Sequence, residues 1–279
     1  MSIVLITALF ALILAFVLGL ALGFFKQFFA VEEDARTAEI RALLPGANCG
    51  ACGFPGCDGY AAAVAEGSAG INSCPVGGQS VVEQLAALIG GDADHKPMVA
   101  FLACRGTADK ARLRGNYIGV KSCRAAKISA GSVKSCSWGC QSLGDCVKVC
   151  KFDALVMGED GLPRIDTGHC TGCKACVTEC PQRIIRLVPA NQKGAYVLCS
   201  NSNANKAMVS KSCKAGCIKC ELCVKNCPGG CITMQKGIPM VDYGKCTSCG
   251  TCVSKCPTKV IKLLEKDILH ITSGPQDRV

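Results

Sequence analysis

Cysteine spacing constrains this chain more than any other feature. The pattern Cys-x2-Cys-x2-Cys-x3-Cys-Pro occurs three times, beginning at Cys170, Cys217 and Cys246 and ending at Pro181, Pro228 and Pro257. Three thiolates that close in sequence wrap one cubane iron-sulfur cluster, while the fourth, beyond a short turn, reaches the neighbouring cluster. A chain of 279 residues with 25 Cys and only 5% aromatic residues has little with which to build one large apolar core. Inorganic centres are left as the organisers. The odd cysteine count argues against a plain disulfide framework.

Exchange of the fourth ligand pairs the motifs. Cys217, Cys220, Cys223 and Cys256 are expected to hold one 4Fe-4S cluster, and Cys246, Cys249, Cys252 and Cys227 its companion. In an earlier module Cys170, Cys173 and Cys176 take Cys150 as fourth ligand. The companion there departs from the pattern. CSWGCQSLGDCVKVC at 136–150 aligns without a gap to CKAGCIKCELCVKNC at 213–227, and Leu143 stands where Cys220 would be. Cys140, Cys146 and Cys180 therefore lack one thiol, and Cys136, which matches Cys213, is the expected replacement.

A fifth set, Cys49, Cys52, Cys57 and Cys74, lies in PGANCGACGFPGCDGYAAAVAEGSAGINSCP. Its glycines let the backbone turn closely around a compact cluster; zinc, which usually takes two separated Cys pairs, is the alternative. The expectation is five 4Fe-4S clusters. Of the five remaining cysteines, Cys231 aligns with Ala154 and reads as a core residue. Cys104 and Cys199 end the apolar runs MVAFLAC and GAYVLC, which read as strands. With Cys123 and Cys213 they leave a sixth cluster open, at long and irregular spacing.

The two modules form an internal repeat. KFDALVMGEDGLPRID parallels PGGCITMQKGIPMVD with one residue deleted, and each carries Gly-x-Pro before a short apolar stretch, so short strands and hairpin turns are expected. The fold class is α+β: a single N-terminal transmembrane helix, a small 4Fe-4S domain and tandem bacterial-type ferredoxin-like modules. The boundaries read as 1–26 for the anchor, 32–91 for the first cluster domain, 131–190 and 211–266 for the modules, 92–130 and 191–210 for connections, and 267–279 for a tail.

The anchor is the run from Ile3 to Phe25, 23 residues without a charge. As a helix it spans roughly 35 Å, enough to cross a hydrocarbon core of about 30 Å with some tilt. A cleaved signal peptide would want a basic region before a shorter apolar stretch, and Met1-Ser2 supplies none. Lys26, Arg36 and Arg41 follow the span, which by the positive-inside rule places the cluster domains in the cytoplasm, a reducing compartment unfavourable to disulfides. Ala11, Ala15, Gly19 and Gly23 form a strip of small side chains suited to close packing on another membrane helix.

Charge is polarised. Residues 31–100 carry nine acids and three bases, net −6, and residues 101–279 twelve acids and 27 bases, net +15. Each oxidised cube with four thiolates carries about −2, so five bring the formal +10 to roughly zero. With no nucleic-acid motif or aromatic-interleaved basic strip, nucleic-acid binding is not expected. Residual positive surface on the modules suits an acidic electron carrier. Neither G-x-G-x-x-G after a strand nor G-x-x-x-x-G-K-[ST] is present, so no direct NAD, flavin or ATP site is expected, and no acid/base machinery stands out.

An anchor helix followed by GANCGACGFPGCDGYA, SCRAAK, CVKVCKFDAL, CTGCKACVTECP and CVSKCPTKVI resembles the B subunit of the Rnf complex, the membrane ferredoxin:NAD oxidoreductase that drives ion translocation. The likeness covers almost the whole chain; the second module goes beyond the shorter members. The resemblance implies an iron-sulfur electron-transfer subunit of a translocase. It would take electrons from soluble ferredoxin and relay them to membrane subunits, with flavin and NAD sites on other subunits and Na+ or H+ moved by its partners. It also implies a single-pass protein of the inner (cytoplasmic) membrane. The alternative is a related complex that keeps a redox-sensing transcription factor reduced.

Overall fold

The computed structural model describes residues 2–28 and 34–263. The expected tail, 267–279, lies outside the described residues. In chain order come α1 (Ser2–Phe28), α2 (Ala35–Leu43), α3 (Cys57–Ala65), α4 (Gly78–Ile89), β1 (Met98–Leu102), α5 (Cys123–Ala130), α6 (Asp145–Lys148), β2 (Leu155–Met157) and β3 (Pro163–Ile165). Then follow α7 (Ala175–Glu179), β4 (Ile185–Pro189), β5 (Ala195–Val197), α8 (Lys206–Ser212), α9 (Leu222–Lys225), β6 (Ile232–Gln235), β7 (Ile238–Val241), α10 (Thr251–Ser254) and β8 (Ile261–Leu263).

α1 is apolar all round. Its Ile3–Phe25 stretch has a mean hydropathy of 3.0 and none of it is buried against the rest of the chain. A helix with no polar face and no protein cover has the length and composition to cross a membrane.

The first cluster domain is three helices packed through a few fully buried side chains: Ile40 from α2, Tyr60 and Ala61 from α3, and Val82 and Leu85 from α4. Asp34 caps α2 by accepting from the Arg36 N–H at 3.3 Å. The Arg41 guanidinium on α2 bonds the Asp58 carboxylate in the first turn of α3. The buried Tyr60 hydroxyl donates to the Gly70 carbonyl at 2.8 Å, which closes the chain back toward Cys74.

The two modules share one architecture. In each, the first Cys group is followed by an antiparallel hairpin, β2–β3 or β6–β7, turning at the Gly-x-Pro segments. Each module is completed by a strand that precedes it. β1 pairs antiparallel with β4, Val99 opposite Val188, and β5 pairs with β8, Val197 opposite Ile261. The stretches expected as connections, 92–130 and 191–210, thus donate strands to the module sheets.

Side chains alternate across a strand, and both added strands use the alternation. Ala100 of β1 faces the first module's core with Leu155, Ile165 and Ile185. Ala195 and Val197 of β5 face the second module's core with Ile232, Ile238 and Ile261. The opposite faces meet: Val99, Phe101 and Ala103 pack with Tyr196 and Leu198, and the Phe101 and Tyr196 rings lie edge to face at 5.2 Å. The modules stand back to back along these strands.

Candidate metal centres

Each module folds so that short helical turns and tight loops aim thiols inward. The loops carry left-handed residues at equivalent places, Gly144, Lys174, Glu221 and Gly250, each immediately before a helical turn. Gly172, between Cys170 and Cys173, has φ +70°, and a Cβ there would stand 2.5 Å from the Met98 carbonyl oxygen. Only glycine lets that loop press against β1. In return the Ala100 N–H of β1 donates to Cys170 Sγ at 3.4 Å.

In the second module Cys217, Cys220, Cys223 and Cys256 line one cavity and Cys227, Cys246, Cys249 and Cys252 another. Cys231 also lines that second cavity, with its Sγ 3.3 Å from Cys227 Sγ, and it is buried in the module's apolar cluster together with several of the thiols of both sets. In the first module Cys150, Cys170 and Cys173 are the thiols acting electrostatically on Cys176. In the N-terminal domain Cys49 and Cys52 act on Cys74 in the same way, and Cys57 shares its buried cluster. Asn48 accepts the Cys57 N–H at 2.7 Å, fixing that sulfur at the start of α3.

The expectation for Cys136 is corrected. The thiol that joins Cys140, Cys146 and Cys180 around one cavity is Cys123, at the first position of α5. Contacts around the first turn place it. Ser122 caps the helix, accepting from the Ala125 N–H at 3.4 Å. The buried Asp145 carboxylate accepts from Ser122 Oγ at 2.8 Å and from the Arg124 N–H at 3.2 Å. The backbone N–H groups of Leu143 and Asp145 face the Cys123 sulfur and favour its thiolate. Leu143, standing where the repeat has lost a cysteine, thus offers its backbone to the replacement. Cys136 lies elsewhere, beside Cys104, Cys199 and Cys213.

Burial pushes the Cys140, Cys146 and Cys176 thiols up to about 12, and Cys136 and Cys223 up to about 11. Such thiols keep their protons at neutral pH and surrender them only to a metal. Among the described residues no three His, Cys, Asp or Glu side chains close on a point as a single ion would need. The sets around Cys140, Cys217 and Cys246 ring cavities instead. With N–H groups aimed at the sulfurs, that arrangement fits a polynuclear sulfide centre better than zinc.

Comparison with known proteins agrees. Residues 44–76 match a family of Fe-S cluster domains, 163–186 a 4Fe-4S binding domain and 216–260 a 4Fe-4S dicluster domain. The chain is 42% identical to the B subunit of the Na(+)-translocating ferredoxin:NAD(+) oxidoreductase complex of Acetobacterium woodii, over 88% of this chain and 73% of that one. It is 39% identical to the B subunit of the ion-translocating oxidoreductase complex of Methanosarcina acetivorans, over 94% of this chain and all of that one. The chain belongs to the family of Rnf complex B subunits. It is accordingly an iron-sulfur electron-transfer subunit of an ion-translocating oxidoreductase, and it is membrane-associated.

Within this Rnf family, alignments of that extent take in both ferredoxin modules. The B subunit of the ion-translocating oxidoreductase complex of Aliivibrio fischeri matches only 33% of the chain, at 49% identity. The matched domain families leave out Cys104, Cys123, Cys136, Cys140, Cys146, Cys150, Cys199 and Cys213. Of those eight, Cys140, Cys146 and Cys150 fall into sets by their place in the repeat, whereas for the other five tertiary structure decides the partners.

Proposed function

We propose that this Rnf-family protein accepts electrons from reduced soluble ferredoxin and relays them through 4Fe-4S clusters to membrane subunits of a complex that couples ferredoxin–NAD electron transfer to Na+ or H+ translocation. The observation that carries the reading is the set of inward-facing thiol quartets in a chain that aligns nearly end to end with components of such complexes. Bound clusters would supply reversible one-electron chemistry.

The chain's own residues do the holding. The ligand sets are Cys49, Cys52, Cys57 and Cys74; Cys150, Cys170, Cys173 and Cys176; Cys123, Cys140, Cys146 and Cys180; Cys217, Cys220, Cys223 and Cys256; and Cys227, Cys246, Cys249 and Cys252. Backbone N–H groups at Gly77, Ala100 and Ser142 point at Cys74, Cys170 and Cys140 at 3.4 Å and stabilise added negative charge at those centres. α1 anchors the chain in the cytoplasmic membrane with these domains on the cytoplasmic side. NAD and flavin are left to other subunits.

Electrons come in at the far end of the second module. Cys249 is the one exposed thiol of the 25, and the Lys245 side chain beside its centre is largely exposed. An acidic ferredoxin would be steered there by the basic surface. The test follows reduction of the purified protein by reduced ferredoxin in stopped flow. The rate constant is expected to fall steadily as salt rises. A rate insensitive to salt refutes the docking, and a protein carrying zinc without iron or sulfide refutes the reading as a whole.

A further inference from the structure

Four of the eight cysteines outside the matched domains belong to none of the five sets, and they are gathered at one place. Cys104, Cys136, Cys199 and Cys213 line a single cavity with Lys134 and Trp138. Gly106 lies between two of them: a Cβ there would stand 3.5 Å from Cys104 Sγ and 3.6 Å from Cys213 Sγ. The other three thiols all act electrostatically on Cys136.

The gathering follows the internal repeat. Cys104 comes two residues after β1 and Cys199 two residues after β5, and the register matches: Ala103 N–H bonds the Ile184 carbonyl and Leu198 N–H the Val260 carbonyl. Cys136 and Cys213 each precede the first cysteine of their module by four residues. Each module therefore contributes an equivalent pair, related by the repeat. The sulfurs are bonded equivalently as well. The Cys140 N–H points at Cys104 Sγ at 3.5 Å, and its counterpart, the Cys217 N–H, at Cys199 Sγ at 3.4 Å.

Cys104 Sγ receives the Gly106 N–H at 3.4 Å, and the N–H groups of Trp138, Asn201 and Ala215, likewise two positions on, face Cys136, Cys199 and Cys213 and favour their thiolates. Cys140 and Ser142 show the same pattern within a ferredoxin module. Asn201, 3% exposed, adds a side-chain donor 3.4 Å from Cys136 Sγ. Two buried ammonium groups complete the surroundings. Lys134 reaches the Gly106 carbonyl at 2.6 Å and acts on Cys213; Lys219 bonds the Asn203 carbonyl and acts on Cys199. Among the described residues neither forms a salt bridge, and an unpaired buried cation is costly. Four neutral thiols do not answer that charge, whereas a cluster carrying about −2 with its thiolates does.

We propose that Cys104, Cys136, Cys199 and Cys213 hold a sixth 4Fe-4S cluster at the junction of the two modules, joining their cluster pairs into one relay. The inference rests on the iron-sulfur reading of the other five sets. Its neighbours are the Cys140 centre on one side and the Cys217 centre on the other, each one hydrogen bond from a junction ligand. Relay across it moves a single electron: the centre on the donor side is oxidised by one equivalent as the junction centre is reduced, and no bond is made or broken.

The test uses the full chain purified anaerobically in detergent. Six clusters give about 24 irons and as many acid-labile sulfides, five give about 20. Cys199→Ala combined with Cys213→Ala is expected to remove about four of each. A wild type of about 20 irons that the double substitution leaves unchanged overturns the inference while the five-cluster reading stands. Zinc without iron overturns both. Should the double variant fail to fold, Asn201→Leu decides. It keeps all four thiols and removes only the side-chain donor on Cys136, so one midpoint potential is expected to move to more negative values, because that donor favours the more anionic reduced state. Six unshifted potentials, or five, overturn the assignment.

Discussion

Replacing Asp145 by Ala tests the placement of Cys123 without touching a thiol. The Asp145 carboxylate, 7% exposed, holds the first turn of α5 through Ser122 Oγ at 2.8 Å and the Arg124 N–H at 3.2 Å. Hydrogen bonds to a charged acceptor contribute about 1.5–3 kcal/mol each when buried, and a carboxylate near a helix N-terminus roughly 0.3–1 kcal/mol more. Arg124 is exposed at the surface, and water replaces part of what is lost, so the net cost to this turn is about 2 kcal/mol. That corresponds to about a 30-fold larger population of the opened turn. Cys123 rides on that turn. If it is a ligand, about four irons should be released to a chelator some 30-fold faster than in wild type, with the remaining iron unaffected. Hydrogen exchange at the α5 amides should accelerate by the same factor. Faster exchange without faster iron release would refute Cys123 as a ligand, and no change in either would refute the role of Asp145.

Three further outcomes follow from the same geometry. Cys123→Ala should remove about four irons although no ferredoxin motif contains that residue, which iron and sulfide counting checks. Gly172→Ala places a methyl 2.5 Å from the Met98 carbonyl oxygen at φ +70°; it should cost about 1–3 kcal/mol and weaken iron retention in the Cys170 set, read as earlier chelator-induced bleaching. Cys231→Ala, a buried thiol replaced by the residue at its repeat position, should keep full iron content and lower stability by about 1 kcal/mol, measured by denaturant melting of the loaded protein.

Much of the fold is written locally. The triads at Cys170, Cys217 and Cys246 and the Gly-x-Pro turns lie within a few residues of their partners, so spacing alone reads them, as apolar runs read β1 and β5. The pairing of β1 with β4 and of β5 with β8 is nonlocal and left no local trace, so the strands were legible but were placed in connecting segments rather than in the modules. Cys123 shows the same limit. It shares a cavity with Cys140 on a turn that Asp145 holds, and nothing in the spacing marks that contact. The signal against Cys136 was nevertheless present in the gapless alignment. Cys136 matched Cys213, which has no place in the second module's ligand sets, so the repeat already implied a shared location for both.

The back-to-back strands bear on how such a protein can be cut or inherited. With one face of β1 committed to its own module and the other to its sister, neither half presents a finished surface alone. A fragment ending between β4 and β5 would leave Val99 and Phe101 facing water, and one beginning there would strand Tyr196. A substitution on either strand is therefore answerable to both halves, since the side chains of β1 and β5 are shared between the two modules.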